Sequence, residues 1–260
     1  MKPSPSPTTS AWSAGTGAHA GLLDAFPALA KEGFGVIDVG SRGGIQATFL
    51  SIAPLLHVVG FEPDRDECQR LAAAASAESF RSMTHLPYAL GAADGECLLH
   101  VNREQGTSSL YEPNREWLDR FPNAARYDVV STVPVSVRSL DSLRADPEVR
   151  TPRFIDFLKI DTQGSELDIL KGAERTLQRQ VVAIEVEVEF APLYRNQPFF
   201  RDIDAWLHSR GFSLFKLRRQ SWVRRTAECH PHLSAGQLVF ADARYLRDPL
   251  SGGEIGRAHV

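Results

Sequence analysis

Three acids stand where buried strands would end, and each can hold a cation or a ribose. Asp38 lies in Val36-Ile37-Asp38-Val39, directly ahead of the turn Gly40-Ser41-Arg42-Gly43-Gly44. Glycines in such a turn permit positive φ and let a ligand approach the backbone with no Cβ in the way. Their spacing is not the GxGxxG pattern that seats a pyrophosphate on a helix N-terminus, so a nucleoside ligand without a pyrophosphate fits better. Glu62, in Phe61-Glu62-Pro63, follows Asp38 by 24 residues. That is near the ~20-residue offset at which an acid accepts both ribose hydroxyls. Asp161 ends the run Phe154 to Ile160 and comes to the same edge. Carboxylates gathered there favour a bound cation and a hydroxyl that must lose its proton.

The elements that would position these acids are legible as short apolar runs: Val36 to Val39, Leu56 to Phe61, Phe154 to Ile160 and Val181 to Val186. Runs apolar on both faces suit buried parallel strands. Between them lie helix signals. Asp64 with Glu67 forms a capping box ahead of Cys68, Leu71, Ala72 and Ala75, and Ser165 with Asp168 precedes Leu167, Leu170, Ala173 and Leu177. Phe200, Ile203, Trp206 and Leu207 mark a further helix that Gly211 stops. Strand and helix in alternation predict an α/β fold, a mostly parallel sheet with helices on both faces and its ligand at the carboxyl ends of the strands. Residues 95–140 break the rhythm and read as an inserted β-hairpin or cap, while Phe212 to Leu217 and Gln237 to Ala241 read as an antiparallel pair at one sheet edge.

The 260 residues, 43% hydrophobic and 23% charged, suit one large domain over 21–250. Residues 1–20, rich in Pro, Ser and Thr, read as a disordered leader; 251–260 read as a tail, with Glu254 to Val260 foreign to the gene. No apolar run is long enough to span a membrane, and the three scattered cysteines suggest neither a disulfide framework nor a zinc ribbon, so a cytoplasmic protein is expected. A net charge of -3 gives no field to gather nucleic acid. The basic stretch Lys216-Leu217-Arg218-Arg219 with Arg224-Arg225 reads as a solvated hairpin face. Cys229-His230-Pro231-His232 offers three donors but no convergent fourth, so no metal is expected.

In order along the chain, Ile37-Asp38-Val39-Gly40 with Gly44, Phe61-Glu62-Pro63, Ala89-Leu90-Gly91 with Asp94-Gly95, Ser139-Leu140-Asp141-Ser142, Leu158 to Glu166, Leu170-Lys171-Gly172-Ala173 and Ile184-Glu185-Val186 resemble the FkbM-type S-adenosylmethionine-dependent methyltransferase family. The resemblance covers roughly residues 35 to 215 and implies a Rossmann-like class I methyltransferase fold with a seven-stranded-type sheet. It further implies that Asp38, Gly40 and Gly44 surround the methionine part of the cofactor, Glu62 with Pro63 the ribose, and Ala89 and Leu90 the adenine, with Asp161 beneath the methyl group. Arg42 stands where many members carry Asn, which bears on the methionine carboxylate. Gln163 stands where many carry Glu, which removes one candidate base. Asp161 is then expected to act as base or to position the acceptor, with Glu187 in reserve. Ser108, Ser109, Gln163, Tyr194 and Gln197 are expected at the acceptor, a hydroxyl of a small molecule, sugar or glycan. Two alternatives stay open: a non-catalytic S-adenosylmethionine-binding module, and a nicotinamide-dependent oxidoreductase, which the missing GxGxxG disfavours.

Overall fold

A computed structural model of the chain describes residues 31–75, 80–227 and 236–247. The leader over 1–20, the tail over 251–260 and the Cys229 to His232 cluster lie outside the described residues. Among the described residues, ten strands fall into two sheets. The larger holds β1 (Phe34–Val39), β2 (Leu56–Phe61), β3 (Ser82–Leu86), β7 (Phe157–Ile160), β8 (Ala183–Glu189), β9 (Phe212–Trp222) and β10 (Gln237–Arg247) in the order β3-β2-β1-β7-β8-β10-β9. β10 runs antiparallel to both its neighbours, and the other neighbouring pairs are parallel. The smaller sheet, β4 (Ala89–Leu90), β6 (Val129–Arg138) and β5 (Gly95–Asn102), stands beside it.

The expected parallel strands form, with shifted ends. The run from Phe154 becomes β7, starting at Phe157, and the run from Val181 becomes β8, from Ala183 to Glu189. β8 alternates Ile184, Val186 and Val188 into the core with Glu185, Glu187 and Glu189 on the opposite face. β3 carries too few apolar residues to announce itself, since only His85 of its five is buried. β5 and β6 do pair antiparallel, but 26 residues separate Asn102 from Val129, so they form a ribbon with a long excursion rather than a tight hairpin.

Helices α1 (Ala47–Leu50) and α2 (Arg65–Ala75) follow β1 and β2, and α3 (Arg115–Leu118) lies in the excursion. α4 (Leu140–Ala145), α5 (Glu166–Gly172), α6 (Glu174–Arg179) and α7 (Phe200–His208) follow the later strands. Leu140, Leu143, Ile169, Leu170, Leu177, Ile203 and Leu207 pack with Ile37, Leu158, Ile184 and Val186 of the sheet as the main core. On the other face, Phe49 meets Phe157 edge-on at 5.3 Å. The single helix expected after Ser165 is interrupted at Ala173, although Leu170, Ala173 and Leu177 are fully buried as its periodicity required.

Candidate cofactor and methyl-transfer site

The capping signals at two helix starts prove to be parts of the site. Asp64 Oδ1 accepts the amides of Asp66 and Glu67 at 3.1 and 3.3 Å, as an N-cap should. Glu67 does not return the bond. It accepts from Gly43 N and forms an ion pair with Arg70, which holds its carboxyl at about 2. The free Asp64 amide donates to Glu62 Oε1 instead, at 3.0 Å, so the start of α2 orients the ribose-type acid. At α5, Ser165 Oγ donates to Thr162 Oγ1 and does not cap. Glu166 folds back under the turn and accepts from Thr162 N, Thr162 Oγ1 and Gly164 N, while Asp168 accepts from Tyr111. Burial raises the Glu166 carboxyl to about 7.

At the carboxyl edge of the sheet lies a cavity of about 290 Å³. Its wall brings together Gly40, Arg42, Glu62, Pro63, Ala89, Leu90, Ser108, Ser109, Asp161 and Gln163, ten of the residues singled out from sequence. Gly40 has φ +75°, and a Cβ there would sit 2.0 Å from the Asp161 carbonyl oxygen, so only glycine lets β1 and the turn after β7 meet. Glu62 is 4% exposed. Burial pushes its carboxyl up, opposed by the Asp64 amide and Arg42, and among the described residues its Oε2 receives no protein hydrogen bond. Arg42 reaches Asp64 at 2.7 Å, Glu62 at 3.5 Å and Gln105 Oε1 at 2.6 Å.

Five expected residues lie off that wall. Asp38 is buried beneath it, its Oδ1 3.0 Å from Lys159 Nζ; burial raises its carboxyl against the pull of the lysine. Burial opposes the charge on Lys159, but Asp38, Asp161 and Glu185 outweigh it and hold the amine above its usual range. Gly44, with φ +85°, turns toward Leu71 of α2. Glu187 is screened by Gln163, whose Nε2 donates to it at 2.6 Å and to Asp161 Oδ1 at 3.1 Å. Tyr194 and Gln197 are buried and brace a loop: Tyr194 OH donates to Thr107 O at 2.7 Å, and Gln197 Oε1 accepts from Tyr194 N. Ser109, though on the wall, spends its hydroxyl on Gln163 O and Tyr111 N. Burial and neighbouring acids raise Glu187 and Glu189 well above the usual carboxylate range, and neither oxygen of Glu189 has a partner among the described residues.

Sequence reasoning missed Tyr88, Leu99, Val101, Gln105 and Leu110, which complete the wall. The alternation of Leu99 and Val101 on β5 was a signal, since alternate residues of a strand share a face. Lys159 was not foreseen as the partner of Asp38, because that pairing depends on the register of β1 against β7.

The strand order, with one antiparallel strand inserted before the edge, and a cavity over the carboxyl ends of β1, β2 and β7 define a class I methyltransferase-type α/β fold. The family model described as the methyltransferase FkbM domain matches residues 38–214, and the chain belongs to this family. S-adenosylmethionine is the methyl donor of the family. A solved methyltransferase FkbM from Methylobacillus flagellatus KT is similar over 81% of this chain and 44% of its own, at 14% identity and a TM-score of 0.45. The chain thus spans less than half the length of that protein. Magnesium protoporphyrin IX methyltransferase from Synechocystis PCC 6803, solved with bound S-adenosylmethionine, is similar over 89% and 77% of the two chains, at 13% identity and a TM-score of 0.40. The structure named StiE O-MT, residues 961–1257, gives 90% and 74%, 8% identity and a TM-score of 0.43. No curated protein matches the sequence. Among the described residues, no helix is long and apolar enough to cross a membrane.

Proposed function

We propose that the chain moves the methyl group of S-adenosylmethionine to a hydroxyl oxygen of a small-molecule, sugar or glycan-type acceptor. One observation carries the reading: a single cavity wall gathers Gly40, Glu62, Leu90 and Asp161. The fit is physical. Gly40 lets the end of β1 close onto the turn that bears Asp161, Glu62 has Oε2 free for ribose, and Tyr88, Leu90, Leu99 and Val101 offer apolar surface to an adenine. At about 290 Å³ the space is at the small end of ligand sites, ~300–1,000 Å³. In this reading the acceptor meets the cofactor beside Asp161.

The cofactor supplies an electrophilic methyl on a sulfonium, and displacement at that carbon is in line, so alignment carries much of the rate. In this reading Asp161 keeps Oδ1 on Gln163 and has Oδ2 to take the proton of an acceptor hydroxyl. Glu187 stands behind Gln163 as support. A nucleic-acid acceptor fits poorly: among the described residues Arg42 is the one basic side chain on the cavity wall, and it is paired. Along the basic stretch, Arg218 of β9 pairs with Asp242, and beyond the strand Arg225 Nε donates to Phe121 O. The free thiols of Cys68 and Cys97 fit a reducing cytoplasm.

Calorimetric titration with S-adenosylmethionine and with NAD, repeated on Glu62→Ala, tests the cofactor. Binding of the first alone, weakened by the substitution, is expected; no S-adenosylmethionine binding by the intact protein sinks the reading. Labelled methyl transfer to a panel of hydroxylated acceptors and amines tests the acceptor, and transfer to amines alone overturns the hydroxyl assignment.

A further inference from the structure

Gln163 ties several segments together at the carboxyl edge of the sheet. It is one of two non-glycine residues with positive φ among those described, at +62°. That conformation is unfavourable for an L-residue and persists only where its surroundings impose it. Four other segments do so. Nε2 donates to Asp161 Oδ1 at the end of β7 and to Glu187 Oε1 on β8. Oε1 faces the Tyr194 hydroxyl at 3.1 Å in the loop after β8, and the main-chain oxygen accepts from Ser109 Oγ of the excursion at 2.6 Å. An amide turned the other way would set its oxygen against two carboxyl groups, so chemistry fixes its direction. Both N–H groups are spent on the two acids, while Oε1 competes with Thr107 O for the single Tyr194 hydroxyl proton, so the donors of Gln163 are committed within the protein.

We propose that Gln163 is a positioning residue: by giving one hydrogen to each acid it holds the Asp161 carboxylate against the cofactor cavity and keeps Glu187 behind it. This rests on the cofactor reading above. Acids crowd this corner, with Glu166, Glu189 and Asp242 near Glu187, and the Lys159 ammonium lies near Asp161. Without a neutral double donor between them, Asp161 and Glu187 face one another with no shared partner, and Asp161 is free to turn away from the cavity. A positioned carboxylate is felt by a ligand with a positive sulfur and not by its neutral counterpart. The ratio of affinities for S-adenosylmethionine and S-adenosylhomocysteine therefore reads the placement of Asp161 without any acceptor.

The test is calorimetric measurement of both affinities on the full chain, as wild type, Gln163→Leu, Gln163→Asn, Glu187→Gln and Asp161→Asn. Asn tolerates left-handed backbone, so Gln163→Asn should fold even where Gln163→Leu does not, yet it is too short to reach both acids. In both Gln163 variants the preference for S-adenosylmethionine should fall about tenfold, the worth of one lost charge-assisted bond, with S-adenosylhomocysteine binding held within about twofold. Glu187→Gln still presents an oxygen to Nε2 and should keep the wild-type ratio. An unchanged ratio in Gln163→Asn alongside a fallen ratio in Asp161→Asn overturns the positioning role, as does an equal loss of both ligands in the Gln163 variants. An unchanged ratio in every variant overturns the placement of Asp161 and this proposal with it. Failure of the wild type to bind either ligand instead overturns the cofactor reading on which the proposal stands.

Discussion

The backbone of Gly40 passes so close to Asp161 that a Cβ on the glycine would lie 2.0 Å from the aspartate carbonyl oxygen. The cofactor turn and the turn bearing the candidate base thus share one contact. Gly40→Ala adds that clash to a positive φ, a conformation that alone costs about 1–2 kcal/mol. It is expected to destabilise the fold by at least about 2 kcal/mol and to abolish S-adenosylmethionine binding. Chemical denaturation and calorimetry read the two effects, and wild-type binding in the variant counts against this geometry.

Glu62 is oriented by the Asp64 amide and keeps Oε2 unbonded among the described residues. Glu62→Gln preserves the shape of the wall while removing the charge. S-adenosylmethionine affinity should fall about tenfold or more, as for a charged acceptor lost from a hydroxyl pair. An affinity within a factor of about two of wild type would remove Glu62 from the ribose.

Gln105 and Gly106 are exposed at the cavity mouth, and Arg42 joins Gln105 to the cofactor turn. The base of this loop is fixed separately, by Asn102 on Thr107 and by Tyr194. Gln105→Ala should therefore loosen the tip alone and speed cofactor dissociation about threefold, one exposed hydrogen bond's worth, with little change in melting temperature. Stopped-flow displacement measures it, and an unaltered dissociation rate rules out a retaining role.

Asp38 and Lys159 form an ion pair whose side chains are 3% and 13% exposed. Removing one partner strands the other charge in the sheet. Lys159→Met should cost about 3 kcal/mol, and adding Asp38→Asn should recover part of it. Denaturant titration of the two single variants and the double variant tests this, and simple additivity would show that the pair is not coupled.

Glu166 has its carboxyl raised to about 7 by burial, against an ordinary 4.5, and Glu187 and Glu189 are raised in the same sense. The folded state holds these protons more tightly than the unfolded state. The Glu166 contribution is complete below about pH 4.5 and is lost as pH rises through about 7. The melting temperature should fall from about pH 6 to about pH 8, and more steeply in wild type than in Glu166→Gln. His85, lowered by burial, opposes the trend but is common to both proteins. Parallel melting curves would show that Glu166 does not titrate in this range.

Much of this architecture is written in local order. The apolar runs ending at Val39, Phe61 and Ile160, each followed by a glycine or an acid, placed three strand ends and their chemistry, because a strand buried on both faces leaves a continuous apolar signature. Asp64 announced the start of α2 for the same local reason. The sequence could not say which acid faces the cavity. Asp38 and Glu62 look alike as strand-end acids, but register places Asp38 opposite Lys159, where it is neutralised, while the turn into α2 leaves Glu62 on the wall. Glu187 is expected as a reserve base, and Tyr194 and Gln197 at the acceptor, because they lie near and beyond the end of β8. Gln163 intervenes before the first, and the other two brace the loop. Local composition thus determined the strand ends, the turn and the cofactor class. Pairing register and long-range hydrogen bonds, which join residues as far apart as Asp38 and Lys159, decided which side chains line the cavity and which only hold those that do.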